Sequence, residues 1–310
     1  MLKTLNEKFS KVIAVANIGA AIDTSWVDDE VYGVDAFIVS WYGGEAGGTA
    51  LANIMTGEVN PSGKLADTFT KNLNAYSTII DKLSSINVDF EEDIFVGYRY
   101  FETFAKDDVK YPFGYGMSYT DFMFGTPTYS LENGKINVSV GVTNTGSAAG
   151  KEVVQLYYSA PQKNESGTVK LSKAAYELGG FAKTGLIQPG ESETVSISLK
   201  IDDMASYDDM GLTGAKSAYV LEAGDYNIYV GNSVREAQTR LAGTYTQSSL
   251  KIVEQLTQYL SPKNLSQQLT VGYSYGSVVP EYNTSCNDAS YTISNDSVPT
   301  AAVGLSLIHI

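Results

Sequence analysis

The hydrophobic period changes part-way along the chain, and this change constrains the fold more than any other feature. Lys11 to Ala16 and Val34 to Ser40 are short, nearly continuous apolar runs that lead into Asn17-Ile18-Gly19 and Trp41-Tyr42-Gly43-Gly44. Runs of this length bounded by glycine suit strands buried on both faces, as in a parallel sheet. From Ile136 onward the pattern is different. Ile136, Val138, Val140 and Val142 alternate with polar or small residues, and so do Val195, Ile197, Leu199 and Ile201, and then Tyr226, Ile228 and Val230. Strict alternation marks strands with one buried face. One chain thus carries two grammars.

The first grammar is α/β. Asp23-Thr24-Ser25 offers a cap for a short helix near Trp26, and Thr49 to Met55 has helical spacing that stops at Gly57. Strand, helix, strand, helix is the order of a βαβ domain. Asn60-Pro61-Ser62-Gly63-Lys64-Leu65 reads as a tight connection into a further strand. Tyr98, Tyr100 and Phe101 suit a sheet edge, and Glu91-Glu92-Asp93 reads as the solvated entrance to a strand.

The second grammar is all-β. Asn133-Gly134 is a favoured two-residue hairpin turn, and Pro189-Gly190 precedes another alternating run. Short alternating strands with turn signals indicate a sandwich of the immunoglobulin or fibronectin type III kind. The expected division is residues 1–124, 125–245, and a linker or tail over 246–310. Within that tail Ile252, Leu256, Tyr259 and Leu260 are spaced for one amphipathic helix ending at Pro262. The terminal Ser306 to Ile310 is read as non-native.

Composition excludes several chemistries. Lys+Arg 21 against Asp+Glu 35 gives a formal charge of −14, which repels nucleic-acid phosphates and anionic lipid. Cys286 is the only cysteine, so an intrachain disulfide and a thiolate metal cluster are ruled out. His309 is the only histidine, which argues against a Ser-His-Asp triad or an HExxH zinc site. No apolar run is long enough to span a bilayer, and the first residues lack the apolar region of a secretory signal. Gly43 to Gly48 sits where a phosphate cradle would, yet it matches neither GxGxxG nor GxxxxGK[ST], and Glu45 would repel an anion.

Four ordered blocks resemble glycoside hydrolase family 3. They are Trp41 to Gly48 with Ala50-Leu51-Ala52; Asn60 to Leu65; Ile94 to Phe101; and Tyr111 to Thr120. Gly43 stands where the family often has Pro, and Ala46 where it has Glu or Gly. Val142 to Gly146, Glu152 to Tyr157, Gly180 to Lys183, Gln188 to Ser192 and Ala223 to Gly231 resemble the fibronectin-like domain of many family members. The resemblance implies a partial α/β sandwich domain followed by that β domain. It also implies a parent that removes β-linked sugar from small glycosides or oligosaccharides without a cofactor or metal.

In that family an Asp on a (β/α)₈ barrel is the nucleophile and a Glu is the acid/base. The resemblance places both outside these 310 residues, so no catalytic residue is assigned here and the chain alone is expected to be inactive. Trp41 and Glu45 are the candidates for the substrate cleft, because loops after strand C-termini line clefts in α/β sheets. The competing readings are a non-catalytic carbohydrate-binding or surface module and a nucleotide-binding α/β protein.

Overall fold

The computed structural model describes residues 1–76, 91–164, 166–257 and 269–272, and the backbone of 280–282. Cys286, His309, the stretch through Pro262 and the terminal pentapeptide lie outside the described residues.

Helix α1 (Leu2–Lys8) leads to β1 (Ile13–Ala16), and β2 (Ala36–Val39) pairs with it in parallel, Ile13 opposite Ala36. The parallel pairing follows from the two apolar runs. Burial on both faces does not: Ile13 is 47% and Val15 39% exposed, since β1 and β2 form a sheet of only two among the described strands. Ser25–Asp28 forms a single 3₁₀ turn, with the Ser25 N–H donating to Asp23 Oδ1 (2.8 Å). Helix α2 (Gly47–Met55) follows β2, as its spacing indicates.

Downstream, β3 (Phe69–Thr70) pairs with β4 (Val109–Tyr111). The run Asn60 to Leu65 is not a direct entry into a strand. Its backbone instead meets the Tyr111 to Thr120 block, with Leu65 N–H donating to the Tyr115 carbonyl and Gly114 N–H to the Leu65 carbonyl, both at 2.8 Å. Tyr98, Tyr100 and Phe101 are not at a sheet edge either; they lie on α3 (Tyr98–Phe104). Aromatic content suggested a strand, but helical spacing lets Tyr100 pack on Phe104 while Phe101 and Tyr98 bury against other partners. Glu91 to Asp93 form a turn before that helix rather than a strand entrance.

The β region forms two four-stranded antiparallel sheets around one core. In the first sheet β7 (Lys135–Asn144) pairs on one side with β10 (Ser192–Lys200) and on the other with β5 (Phe122–Phe124) and β6 (Thr128–Glu132). The β6–β7 turn is Asn133-Gly134, with φ of 51° and 73°, as the hairpin signal requires. The second sheet runs β14 (Leu241–Gln247), β13 (Gly224–Gly231), β8 (Val153–Ser159), β9 (Glu177–Lys183). Alternation predicts the inward faces correctly: Ile136, Val138, Val140 and Val142 meet Val154, Leu156, Tyr226, Ile228 and Val230 in one cluster. Helix α4 (Val234–Ala237) covers the outer face of β8 and β13, where Tyr157 is buried with Val234 and Ala237.

The segment from Lys251 is a strand where a helix was expected. β15 (Lys251–Gln255) pairs with β12 (Ala218–Leu221), which also pairs with β11 (Ser206–Asp208). Ile252 and Leu256 satisfy helical spacing, but the β-branched pair Ile252-Val253 completes the open edge of β12, a non-local gain that spacing cannot register. Further on, β16 (Leu269–Val271) pairs with β17 (Pro280–Tyr282), and Leu269 and Val271 pack against Phe95 and Ala174. β5, just before residue 125, and β15, beyond residue 245, both pair with strands of the β region.

The exposed strand and the buried core make opposite predictions. Ile228→Ala should cost about 3 kcal/mol in urea unfolding, because a fully buried side chain leaves a cavity. Ile252→Ala should stay within about 0.5 kcal/mol.

Candidate functional site

The C-terminal ends of parallel strands are where α/β sheets build clefts. Here two loops leave those ends, residues 17–24 after β1 and 40–46 after β2. They touch: the Tyr42 ring lies against Gly19, while the rest of Tyr42 is open, at 78% exposure. Trp41 takes φ of 49°, a left-handed conformation that costs a bulky residue energy, and its ring sits 6.2 Å from that of buried Phe69. The indole is half-buried, with β3 behind it.

The loop then closes tightly. Gly47 N–H donates to the Gly44 carbonyl at 3.2 Å, and a Cβ on Gly43 would come within 2.8 Å of Gly47 Cα. A proline, with its Cβ, would force this turn open, which accounts locally for glycine at a position where the resembling family often has Pro. Glu45 is exposed at the start of α2, where a carboxylate complements the positive end of the helix. The structure therefore puts Trp41 and Glu45 on one loop, with the indole against the domain and the carboxylate in solvent.

One nearby carboxylate escaped the sequence reading. Asp67 is half-buried between Leu65 and β3; it accepts the Thr68 N–H at 2.8 Å and lies near the backbone amide of Ala21 in the loop after β1. Burial pushes its carboxyl above the usual range, partly offset by the backbone N–H groups of Thr68 and Ala21. Tyr76, whose hydroxyl donates to the Thr68 carbonyl, is pushed up to about 12, chiefly by burial and then by the Asp67 charge. No spacing marks Asp67; it gains its setting only when residues 17–24 fold over it.

Below the loops, the remaining blocks form a junction between the two regions. Lys64 Nζ lies 2.7 Å from Glu152 Oε1 and donates to the Gly116 carbonyl at 3.0 Å; the two side chains are only 10% and 5% exposed. Asn60 Nδ2 donates to the Ala149 carbonyl, and Asn60 Oδ1 accepts from Ser118 Oγ and Tyr119 N–H. Lys183 Nζ reaches the Ser62 carbonyl at 3.1 Å. Within the first domain, Gly116 lets its segment lie against the Asn60 to Leu65 run, since a Cβ there would come 2.3 Å from the Gly63 carbonyl oxygen.

A second contact runs through α3. Glu102 is buried and takes Arg235 Nε (2.9 Å) and Gln238 Nε2 (2.9 Å), while Tyr98 packs between a tilted Phe113 ring and an edge-on Tyr157 ring.

A cavity of about 380 Å³ opens at the other end of the strand pair, lined by Asn6, Asp28, Asp29, Glu30 and Asp35. Its carboxylates are partly used, Asp28 by Lys110 and Asp35 by Lys11. Among the described residues no group of three His, Cys, Asp or Glu is arranged to hold a metal. No helix among them is long and apolar enough to cross a membrane.

Comparison with known proteins gives this geometry a family. The glycosyl hydrolase family 3 C-terminal domain matches residues 1–119, and a fibronectin type III-like domain matches residues 152–234. The chain belongs to glycoside hydrolase family 3. It is 47% identical over 296 residues to a Beta-glucosidase A of Butyrivibrio fibrisolvens, covering 89% of this chain and 34% of that enzyme. A Beta-glucosidase of Ruminococcus albus is 44% identical over 264 residues, covering 84% of this chain and 26% of that enzyme. Among solved structures, a beta-glucosidase from Paenibacillus barengoltzii superposes with a TM-score of 0.81 at 42% identity, over 91% of this chain and 31% of that one. This family 3 chain thus spans between about a quarter and a third of the relatives it matches, and its described residues contain no (β/α)₈ barrel.

Two substitutions test the site. Lys64→Met should cost about 3–5 kcal/mol in urea unfolding, because it strands the buried Glu152 charge. For Asp67 the sign follows from the raised folded pKa: its stability contribution is full below the unfolded value of 3.8 and is lost as pH rises through the folded value. Asp67→Asn should therefore raise Tm at pH 7 and change it little at pH 3, as read by calorimetry.

Proposed function

We propose that these residues form the cleft-wall and supporting part of a retaining β-glucosidase that releases glucose from small glycosides or oligosaccharides. The carrying observation is the pairing of a family 3 C-terminal domain with a fibronectin-like domain at 47% identity to a beta-glucosidase. A related enzyme from Thermotoga neapolitana, 34% identical with a TM-score of 0.66 over 81% of this chain and 33% of that one, is described in complex with glucose.

Retaining hydrolysis requires two carboxyl groups about 5–5.5 Å apart across one sugar. On this reading the nucleophilic Asp and the acid/base Glu belong to parts of the enzyme other than the described residues, the nucleophile to a (β/α)₈ barrel. Glu45 does not substitute for either, and Asp67 is held by the Thr68 N–H. Trp41 and Glu45 face the sugar-binding side, the indole offering an apolar edge held by Phe69 and the carboxylate an acceptor for hydroxyl groups.

The proposed division is an α/β domain over 1–124 and a sandwich over 125–245, with a connecting tail over 246–310. The sandwich is of the immunoglobulin or fibronectin type III kind. The shared core of the two antiparallel sheets supports that assignment, and β5 and β15 add their strands at its margins.

The test is hydrolysis of an aryl β-D-glucoside by the 310 residues alone and by the same residues joined to the parts of a family 3 enzyme that carry both the nucleophilic Asp and the acid/base Glu. Turnover with retained configuration should come only from the joined protein; turnover by the isolated chain would contradict the assignment. In the joined protein, Trp41→Ala should raise KM about tenfold with a smaller effect on kcat, as expected for one lost ground-state contact.

A further inference from the structure

Residues 60, 62 and 64 alternate along one short run, and each reaches into the β region. Asn60 holds the Ala149 carbonyl, the Ser62 carbonyl takes Lys183, and Lys64 pairs with Glu152. Glu152 is itself fixed from several directions. Its Oε1 accepts the Val153 N–H (2.7 Å), its Oε2 takes Asn232 Nδ2 (3.2 Å), and its backbone exchanges hydrogen bonds with Thr184. The carboxylate is thus part of the β framework, and Lys64 comes to it.

The same run controls α2. Val59 N–H donates to the Asn53 carbonyl, and Tyr119, whose own N–H binds Asn60, donates its hydroxyl to the Ile54 carbonyl at 2.8 Å. The last turn of α2 is therefore tied to Asn60, and through it to the β region. Helix α2 has 9 residues, so it is a rigid lever of about 14 Å. Its far end begins at Gly47, where the loop bearing Trp41 and Glu45 closes.

We propose that Glu152 is a positioning residue: the fibronectin-like domain sets the place of the Trp41 loop through Glu152, Lys64, Asn60 and α2. The functional meaning rests on the assignment of that loop to the sugar-binding side, but the coupling is a property of this chain and its test needs no turnover. A side chain of the β domain would then adjust the cleft without touching substrate.

The chain has 2 Trp residues, Trp26 and Trp41, both in the first domain. Trp26 packs edge-on against Phe37 of β2 and donates to the Asp23 carbonyl, which makes it an internal reference. With 5-fluorotryptophan incorporated, fluorine NMR gives one resonance for each, assigned with Trp26→Phe. Glu152→Gln should shift or broaden the Trp41 resonance and leave that of Trp26 in place, while Glu254→Gln on exposed β15 should move neither. An unchanged Trp41 resonance in folded Glu152→Gln protein would overturn the proposal.

Should Glu152→Gln fail to fold, hydrogen exchange of the unsubstituted chain decides. Coupled elements open together, so α2 amides should be protected to within about tenfold of those of β8. A larger gap would show that α2 opens independently of the β domain and would overturn the proposal.

Discussion

The buried pair Lys64–Glu152 is the interaction on which the rest of the arrangement depends. Two charges withdrawn from water rarely stabilise a fold for their own sake, because desolvation offsets most of their attraction. What such a pair does well is reject alternatives. Any other approach of the two regions would leave either charge buried and alone, at about 3–5 kcal/mol. Here the cost of misdocking is raised further by Asn60, whose amide is used on both sides, by Ala149 and by Ser118. The junction therefore has one orientation, set by geometry and not by apolar area alone.

The second contact works by different physics. On α3, Glu102 meets Arg235 and Gln238, and Tyr98, Phe113 and Tyr157 form a buried aromatic group. Leu269 and Val271 return to the far side of the same helix region and cover Phe95. A seven-residue helix is too short to be stable in isolation. It persists because the β domain and the β16 strand pack around it. The blocks that resemble the family in sequence are thus mostly the residues by which the two domains recognise each other, with the Trp41 loop as the part left facing outward.

How much of this was legible beforehand follows from the range of the interactions. Alternation from Ile136, Val195 and Tyr226 gave the buried faces, because period two is a local property of a strand with one wet side. The Asn133-Gly134 turn was legible for the same reason. Tyr98 to Phe101 misled because aromatic content fits a strand, whereas the helix exists through contacts with Phe113, Tyr157 and Arg235, all distant in sequence. Ile252 misled in the opposite direction: its spacing with Leu256 fits a helix, but the open edge of β12 decides. At the site, Trp41 and Glu45 could be placed on a loop after a strand, while Asp67 and the Lys64–Glu152 pair could not. Nothing in the chain order brings residue 64 to residue 152, or Ala21 over Asp67.

If the motif blocks are a junction of fixed orientation, the two domains should lose their structure together. Scanning calorimetry of the chain, with circular dichroism and tryptophan fluorescence followed in parallel, tests this most directly. The expected result is one transition, coincident by both probes, with equal calorimetric and van't Hoff enthalpies. Two resolved transitions, with the tryptophan signal lost before the β structure melts, would contradict it.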